Sequence, residues 1–306
     1  MMDDQPTLQI SIAICTYNRS KYLKPCLESI KSQVQKYKDV EVLVIDNNSD
    51  DNTKEVCESM MDDSWTLRYE FEKEQGLSYA RNKAIEVSKA EWIAYLDDDA
   101  TAYPDYLDRM KYIIDNYDFD CFGGMYYAFY ETEKPKWLSD SFGTKRKLTD
   151  EVAEIKVDYL SGGNLVCKRL ALIDIKGFPV DLGMKGNKIG YGEEDKMQSD
   201  LRSKNYKIGF DPELKIDHLV ASYKLKPHWH VKRMYQMHKN TQNEKSKQYN
   251  MWFTLKRILL ITLTDVPRFL KLFFTRKDFY RQNLYINVMS KYAVTWGYFR
   301  NVNKNR

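Results

Sequence analysis

No stretch of the chain reaches the roughly 18 uninterrupted apolar residues that a membrane-spanning helix needs. The N-terminal MMDDQPTLQ has neither the basic region nor the apolar region of a secretory signal. Cysteine is sparse: Cys15, Cys26, Cys57, Cys121 and Cys167 are scattered, odd in number and without a C-x-x-C pair. They read as reduced thiols in a cytosolic protein. No internal repeat or low-complexity tract is present. The turn after the first apolar run, CTYNRSKYL, contains no glycine, which excludes the dinucleotide fingerprint of a dehydrogenase.

What is present is an ordinary globular balance, 43% apolar and 30% charged residues in a chain of 306. That length suffices for one large α/β domain plus an appendage. Aromatic content is high, 14% with 23 Tyr. The net charge of +4 hides an asymmetry: Ser222 to Arg306 holds 18 Lys and Arg against 3 acids, a net +15, so residues 1–221 carry −11. An acidic body with a basic tail points to an anionic partner for the tail. Residues 1–221 are therefore expected as one acidic part and 222–306 as a basic, amphipathic helical extension.

The first part alternates two periodicities. Gln9 to Cys15, Val40 to Asp46, Thr66 to Phe71 and Glu91 to Leu96 are short β-branched and aromatic runs that predict strands. Between them Leu23, Leu27, Ile30 and Val34, and later Ala80, Ala84 and Val87, fall on single helical faces. Strand, helix, strand at this rhythm predicts right-handed crossovers and a parallel sheet covered on both faces. Further strands are expected at Cys121 to Tyr130 and Ile155 to Leu160, separated by a loop at Glu131 to Leu148. A mobile glycine-rich loop is expected at Gly183 to Gly192, opening a helix at Glu193 with Met197 and Leu201 inward.

Ligands of such sheets gather at the carboxyl ends of the strands. Thr16, Tyr17, Asn18 and Arg19 follow the first strand, Asp46 ends the second, and Asp97, Asp98 and Asp99 follow the fourth. Three adjacent carboxylates repel one another and need full solvation or a cation. A single such loop is an ordinary turn with a helix cap, but three polar exits on one rim predict a site.

Seven stretches carry a resemblance: SIAICTYNR at 11–19, VLVIDNNSDD at 42–51, GLSYARNKA at 76–84, YLDDDA at 95–100, SGGNLVCKR at 161–169, GYGEED at 190–195 and FDPELKIDH at 210–218. In this order and spacing the chain resembles the family 2 glycosyltransferases of bacterial polysaccharide or glycan assembly. The resemblance implies a GT-A fold, Rossmann-like and mostly parallel, and inverting transfer from a nucleotide-sugar donor, a UDP-sugar above all. It implies that Thr16, Tyr17, Asn18, Arg19 and Asp46 surround the nucleoside, and that Arg81 faces the donor or its diphosphate. Asp97 is implied near the ribose or the metal, and Asp98 is implied among the nucleotide-binding residues. Asp99 is the implied carboxylate ligand of Mn2+ or Mg2+ in a DXD signature, with His218 completing the metal shell.

Asp195 is the implied general base, with Glu194 as its alternative because the extra Glu193 shifts the motif. Trp137, Gly163 and Asn164 are candidate acceptor contacts. The acceptor is expected to be a glycan or a lipid-linked glycan. In the tail, Trp252, Leu255, Leu259, Leu263, Val266, Leu270 and Phe273 form an apolar stripe opposite Arg257, Thr264, Arg268, Lys271 and Thr275. Pro267 is expected to divide this into two helices with Asp265 as the second cap. Such a helix suits an anionic membrane surface or a packed position on the catalytic body. The chain is thus expected at the inner face of the cell membrane, peripheral, with no nucleic-acid partner. A sugar-nucleotide nucleotidyltransferase shares the fold, but its glycine-rich, basic triphosphate loop is missing. A non-catalytic carbohydrate or nucleic-acid binding module would leave the acidic rim unexplained.

Overall fold

The four β-branched runs form one half of a nine-stranded sheet in a computed structural model that describes residues 7–186, 190–240 and 248–304. The N-terminal MMDDQP and the centre of the glycine-rich loop, 187–189, lie outside the described residues. Strands β1 (Ile10–Thr16), β2 (Val40–Asp46), β3 (Leu67–Phe71) and β4 (Trp92–Leu96) are all parallel, in the order β3-β2-β1-β4. Alternation along them sorts side chains into two cores. Ile10, Ile12 and Ile14 pack with Leu23, Leu27, Ile30 and Val34 of α1 (Ser20–Val34). Ala13, Leu43 and Ile45 pack with Ala80 and Ala84 of α3 (Leu77–Val87). Helix α2 (Thr53–Ser59) links β2 to β3.

After β4 the sheet changes direction. The short strand β5 (Ala100–Ala102) and helix α4 (Tyr106–Asn116) precede β6 (Cys121–Phe129). Strand β8 (Asn164–Lys168) inserts antiparallel between β4 and β6, and β9 (Ile208–Leu219) runs parallel to β6. The sheet is therefore parallel in its first half and mixed in its second. The pairing of β6 with β9 shifts register at Gly124, where a Cβ would meet the Leu214 carbonyl oxygen at 1.9 Å. This bulge accommodates Pro212, which has no N–H for the ladder. Arg109 holds the buried Asp211 at the same place with two bonds, 2.5 and 3.0 Å.

One expected strand is absent. Only Ala153–Glu154 pairs, as β7 with β9, and Ile155 to Leu160 is irregular. Ile155 and Leu160 are buried as the sequence suggests, but Gln198 satisfies both backbone groups of Leu160, at 2.8 and 3.1 Å. A side chain of α6 (Glu193–Ser203) replaces the neighbouring strand. Helix α5 (Arg169–Asp174) completes this part.

The chain divides into two compact units: residues up to Phe129 with Gly143–Leu219, and Tyr130–Phe142 with the residues from Val220 onward. The segment Tyr130–Phe142 belongs to the second unit through its aromatic residues. The Trp137 and Phe142 rings lie 5.4 and 5.2 Å from that of His230, and Asn283 donates to the Trp137 carbonyl at 2.7 Å. In this unit α7 (Pro227–Asn240) packs along α10 (Arg281–Lys304). Gly297 permits the close approach, since a Cβ there would stand 2.8 Å from the Tyr235 carbonyl oxygen.

Pro267 does not divide the amphipathic segment. Helix α8 (Met251–Leu260) passes through a π-helical turn, Ile261–Asp265, into α9 (Val266–Thr275). Asp265 is helical and makes no capping bond. Widening the turn just before the proline accommodates its ring and missing N–H without ending the helix. No described helix is long and apolar enough to cross a membrane.

Candidate active site

The rim formed by the ends of β1, β2 and β4 is tied together by two adjacent residues. Asn18, in a left-handed conformation (φ 53°), donates its N–H to Ser49 Oγ at 2.9 Å and accepts from the Asp50 N–H at 2.8 Å. The next residue, Arg19, reaches the opposite way, 2.8 Å from both Asp98 Oδ1 and Asp99 Oδ2. One loop thus joins the exit of β2 to the three aspartates. Tyr17 is half-buried, and Thr16 is buried in register with Asp46.

Asp46 is buried at the head of a cavity of about 430 Å³ lined by Ser49, Asp50, Lys54, Tyr69 and Phe71. Its two oxygens are oriented by the Ser49 N–H at 2.9 Å and the Tyr69 hydroxyl at 2.6 Å. Each carboxylate oxygen retains a second lone pair. Asn47, which the sequence reading passed over, accepts from the Gly76 N–H at 2.7 Å and donates to the Glu74 carbonyl at 2.7 Å. It fixes the exit of β3 against that of β2; the asparagine pair after the strand was its only signal.

The triple aspartate is resolved by unequal neighbours. Arg19 neutralises Asp98 and part of Asp99. Burial nevertheless pushes the Asp98 carboxyl up to about 7, with Arg19 opposing and the Asp99 charge adding. Asp97, Asp99 and His218 form the remaining set, with one ligand atom from each lying within 4.8 Å of the others. His218 Nε2 is 3.1 Å from Asp99 Oδ1 and 3.6 Å from Asp97 Oδ2. The fold brings them together because β5, directly after the aspartates, pairs with β9 and places Ala100 opposite His218. The Tyr126 hydroxyl donates to Asp97 Oδ2 at 2.6 Å, and its ring lies 4.4 Å from that of His218. Two carboxylates and an imidazole are a donor set that suits a divalent cation.

The glycine pair after Ser161 makes room for this arrangement. A Cβ on Gly163 would stand 2.0 Å from Asp97 Oδ2, and one on Gly162 would stand 2.5 Å from the Arg81 guanidinium. Gly163 therefore backs the Asp97 carboxylate. Asn164, read from sequence as an acceptor contact, is buried and committed: it accepts from the Tyr106 hydroxyl at 2.9 Å and donates to the Met125 and Leu214 carbonyls at 3.1 and 3.0 Å. These bonds hold Asn164 between α4, β6 and β9. Trp137 lies in the second unit.

Arg81, expected toward the donor, has a protein partner. It is buried, donates to Glu193 Oε1 at 3.1 Å and faces the Phe178 ring at 5.2 Å. The supernumerary acid of GYGEED is thus the counter-ion of Arg81. Burial first and the Glu194 charge second push Glu193 up to about 7, with Arg81 opposing. Glu194 is half-buried and Asp195 exposed in the first turn of α6, after Gly192 in the left-handed region (φ 95°). Partial loss of solvent and the Glu194 charge raise the Asp195 carboxyl above its ordinary value. The cysteines are unbridged, and burial pushes the Cys15 thiol up to about 12, so it stays protonated.

Residues 11–176 match the model of glycosyl transferase family 2. The chain is 22% identical over 237 residues to the glucosyl-dolichyl phosphate glucuronosyltransferase of Haloferax volcanii, covering 74% of each. It spans less than half of other curated glycosyltransferases, with 30–31% identity over 106–133 residues. Staphylococcus aureus TarS 1–349 in complex with UDP-GlcNAc superposes with a TM-score of 0.57 at 16% identity, over 97% of this chain and 92% of that one. The mannosyltransferase PcManGT of Pyrobaculum calidifontis, in complex with GDP-Man and Mn2+, gives 0.54 at 18% identity, over 74% and 61%. The fold is therefore GT-A, and with more than half of its length inside the family model, the chain belongs to glycosyl transferase family 2 and is a glycosyltransferase.

Proposed function

We propose that the protein transfers a sugar from a UDP-sugar to a hydroxyl of a glycan or lipid-linked glycan, with inversion and with help from a divalent ion. The observation that carries this reading is the grouping of Asp97, Asp99 and His218 within 4.8 Å on the rim that also holds the Asp46 cavity. A buried carboxylate at the head of that cavity accepts the imide hydrogen of uracil and penalises a base lacking it. Asp97, Asp99 and His218 would hold Mn2+ or Mg2+, which when bound neutralises the donor diphosphate. Arg19 keeps Asp98 and Asp99 from repelling each other.

Asp195 Oδ takes the proton of the acceptor hydroxyl. The hydroxyl oxygen bonds to the anomeric carbon from the face opposite the diphosphate, and the glycosidic C–O bond breaks toward the leaving group. A carboxyl raised above its usual range is a stronger base for this step. Glu193, engaged by Arg81, is not a competitor. The lipid-linked acceptor is supported by the name of the archaeal relative, a glucosyl-dolichyl phosphate glucuronosyltransferase. The tail supplies the membrane surface: Trp252, Leu255, Leu259, Leu263 and Leu270 point to solvent among lysines and arginines, the pattern of a helix lying in an anionic interface.

Isothermal calorimetry tests the core of this. UDP is expected to bind more tightly with Mn2+ than in chelator, and equal affinity in both would remove the metal from the reading. A screen of nucleotide sugars, reading donor hydrolysis as well as transfer, identifies the sugar.

A further inference from the structure

The helical unit contains a cavity of about 390 Å³ between α7, α8 and α10, in the size range of small-molecule sites. Three cations line it: Arg233 comes from α7, Arg257 from α8 and Lys291 from α10, while Ile286 and Val294 form an apolar wall. Among the described residues no carboxylate lines it, and neither Arg257 nor Lys291 makes an ion pair. Like charges facing one hollow raise its potential and favour an anion. Ser290 also lines the cavity, and its hydroxyl oxygen is shut off from solvent without a hydrogen-bond partner among the described residues. Such a hydroxyl costs stability until an acceptor meets it.

We propose that this cavity binds a phosphate group carried on a lipid. Arg257 and Lys291 provide charge-assisted bonds to the phosphate oxygens, Ser290 donates a further one, and the wall of Ile286 and Val294 takes the first carbons of the chain. Arg257 lies on the helix that presents Leu255 and Leu259 to solvent, so the site and the apolar stripe share one element. The choice of a lipid as carrier rests on the lipid-linked acceptor proposed above; the phosphate chemistry does not.

The test is a calorimetric titration of the full chain with inorganic phosphate and, separately, with a short-chain isoprenyl monophosphate. The isoprenyl ester is expected to bind at least roughly tenfold more tightly than inorganic phosphate. Both affinities should fall by about tenfold or more in the Arg257→Gln, Lys291→Gln double variant. Lys291→Arg should restore most of the single loss of Lys291→Gln, and Ser290→Ala should weaken binding with thermal unfolding unchanged. UDP binding, measured on the same proteins, should stay at the wild-type value, which shows that the variants fold and separates this inference from the donor reading. Inorganic phosphate binding as tightly as the ester, and lost in the double variant, would overturn the lipid source. Binding of both probes that the double variant leaves unchanged, or no binding to the wild type, would overturn the site.

Discussion

At the scale of single residues, the site depends on small groups that leave space as much as on charged groups that fill it. Gly163 touches no ligand in the proposed mechanism, yet a methyl group there would overlap the Asp97 carboxylate. Gly163→Ala is expected to leave a folded protein whose UDP affinity no longer responds to Mn2+; a retained response in calorimetry would show that Asp97 is dispensable for metal binding. Asp195→Asn should keep donor binding while turnover falls by roughly two or more orders of magnitude. If Asp195→Asn turns over normally and Glu194→Gln does not, the base is Glu194. The sequence made the acids of GYGEED visible as a group but not their division of labour. That Glu193 serves Arg81 follows from a contact spanning 112 positions, which no local pattern encodes. The bonds of Asn164 were hidden for the same reason: its partners lie on α4, β6 and β9.

At the scale of elements, β1 to β4 and their helices were legible because each buries a face whose period is written in the chain. The irregular segment at Ile155 to Leu160 was not, since its apolar residues are buried as in a strand while a glutamine from α6 replaces the ladder. The amphipathic helix is a mixed case. Its stripe is where the sequence puts it, but its buried contacts run through Thr254 and Ile261, leaving Trp252 82% exposed. Replacing Leu255, Leu259 and Leu263 together by Ser should therefore leave thermal stability nearly unchanged, because exposed positions contribute little. The same variant should sediment several-fold less with vesicles containing anionic lipid, most clearly at low salt. Undiminished pelleting would assign the stripe another partner.

At the scale of the whole molecule, charge and burial set the response to pH. Glu193 keeps its proton to about pH 7 in the native state but releases it near 4.5 when unfolded. Between those values the native state holds more protons, so stability falls as pH rises through the window; below it Glu193 contributes nothing, and above it the loss is complete. Asp98, also held near 7, acts with the same sign. The urea midpoint is expected to drop between about pH 5 and pH 8, by an amount on the order of 1–3 kcal/mol in stability. Glu193→Gln should flatten that slope, and a midpoint that rises over the range would contradict the assignment.

By itself the sequence determined the order of strands and helices in the first half, the acidic rim at the strand ends, and the contrast between an acidic body and a basic tail. Those are properties of neighbours along the chain: period, composition and the residue that follows a strand. Only the tertiary structure decided that Arg19 takes Asp98 and Asp99 while Asp97 and Asp99 stand with His218, because the second grouping depends on β5 pairing with β9. It alone showed that a proline inside the tail helix is absorbed by a π turn, and that Arg233, Arg257 and Lys291, from three different helices, surround one hollow. Charges distant in sequence acquire a shared potential only when packing removes the water between them.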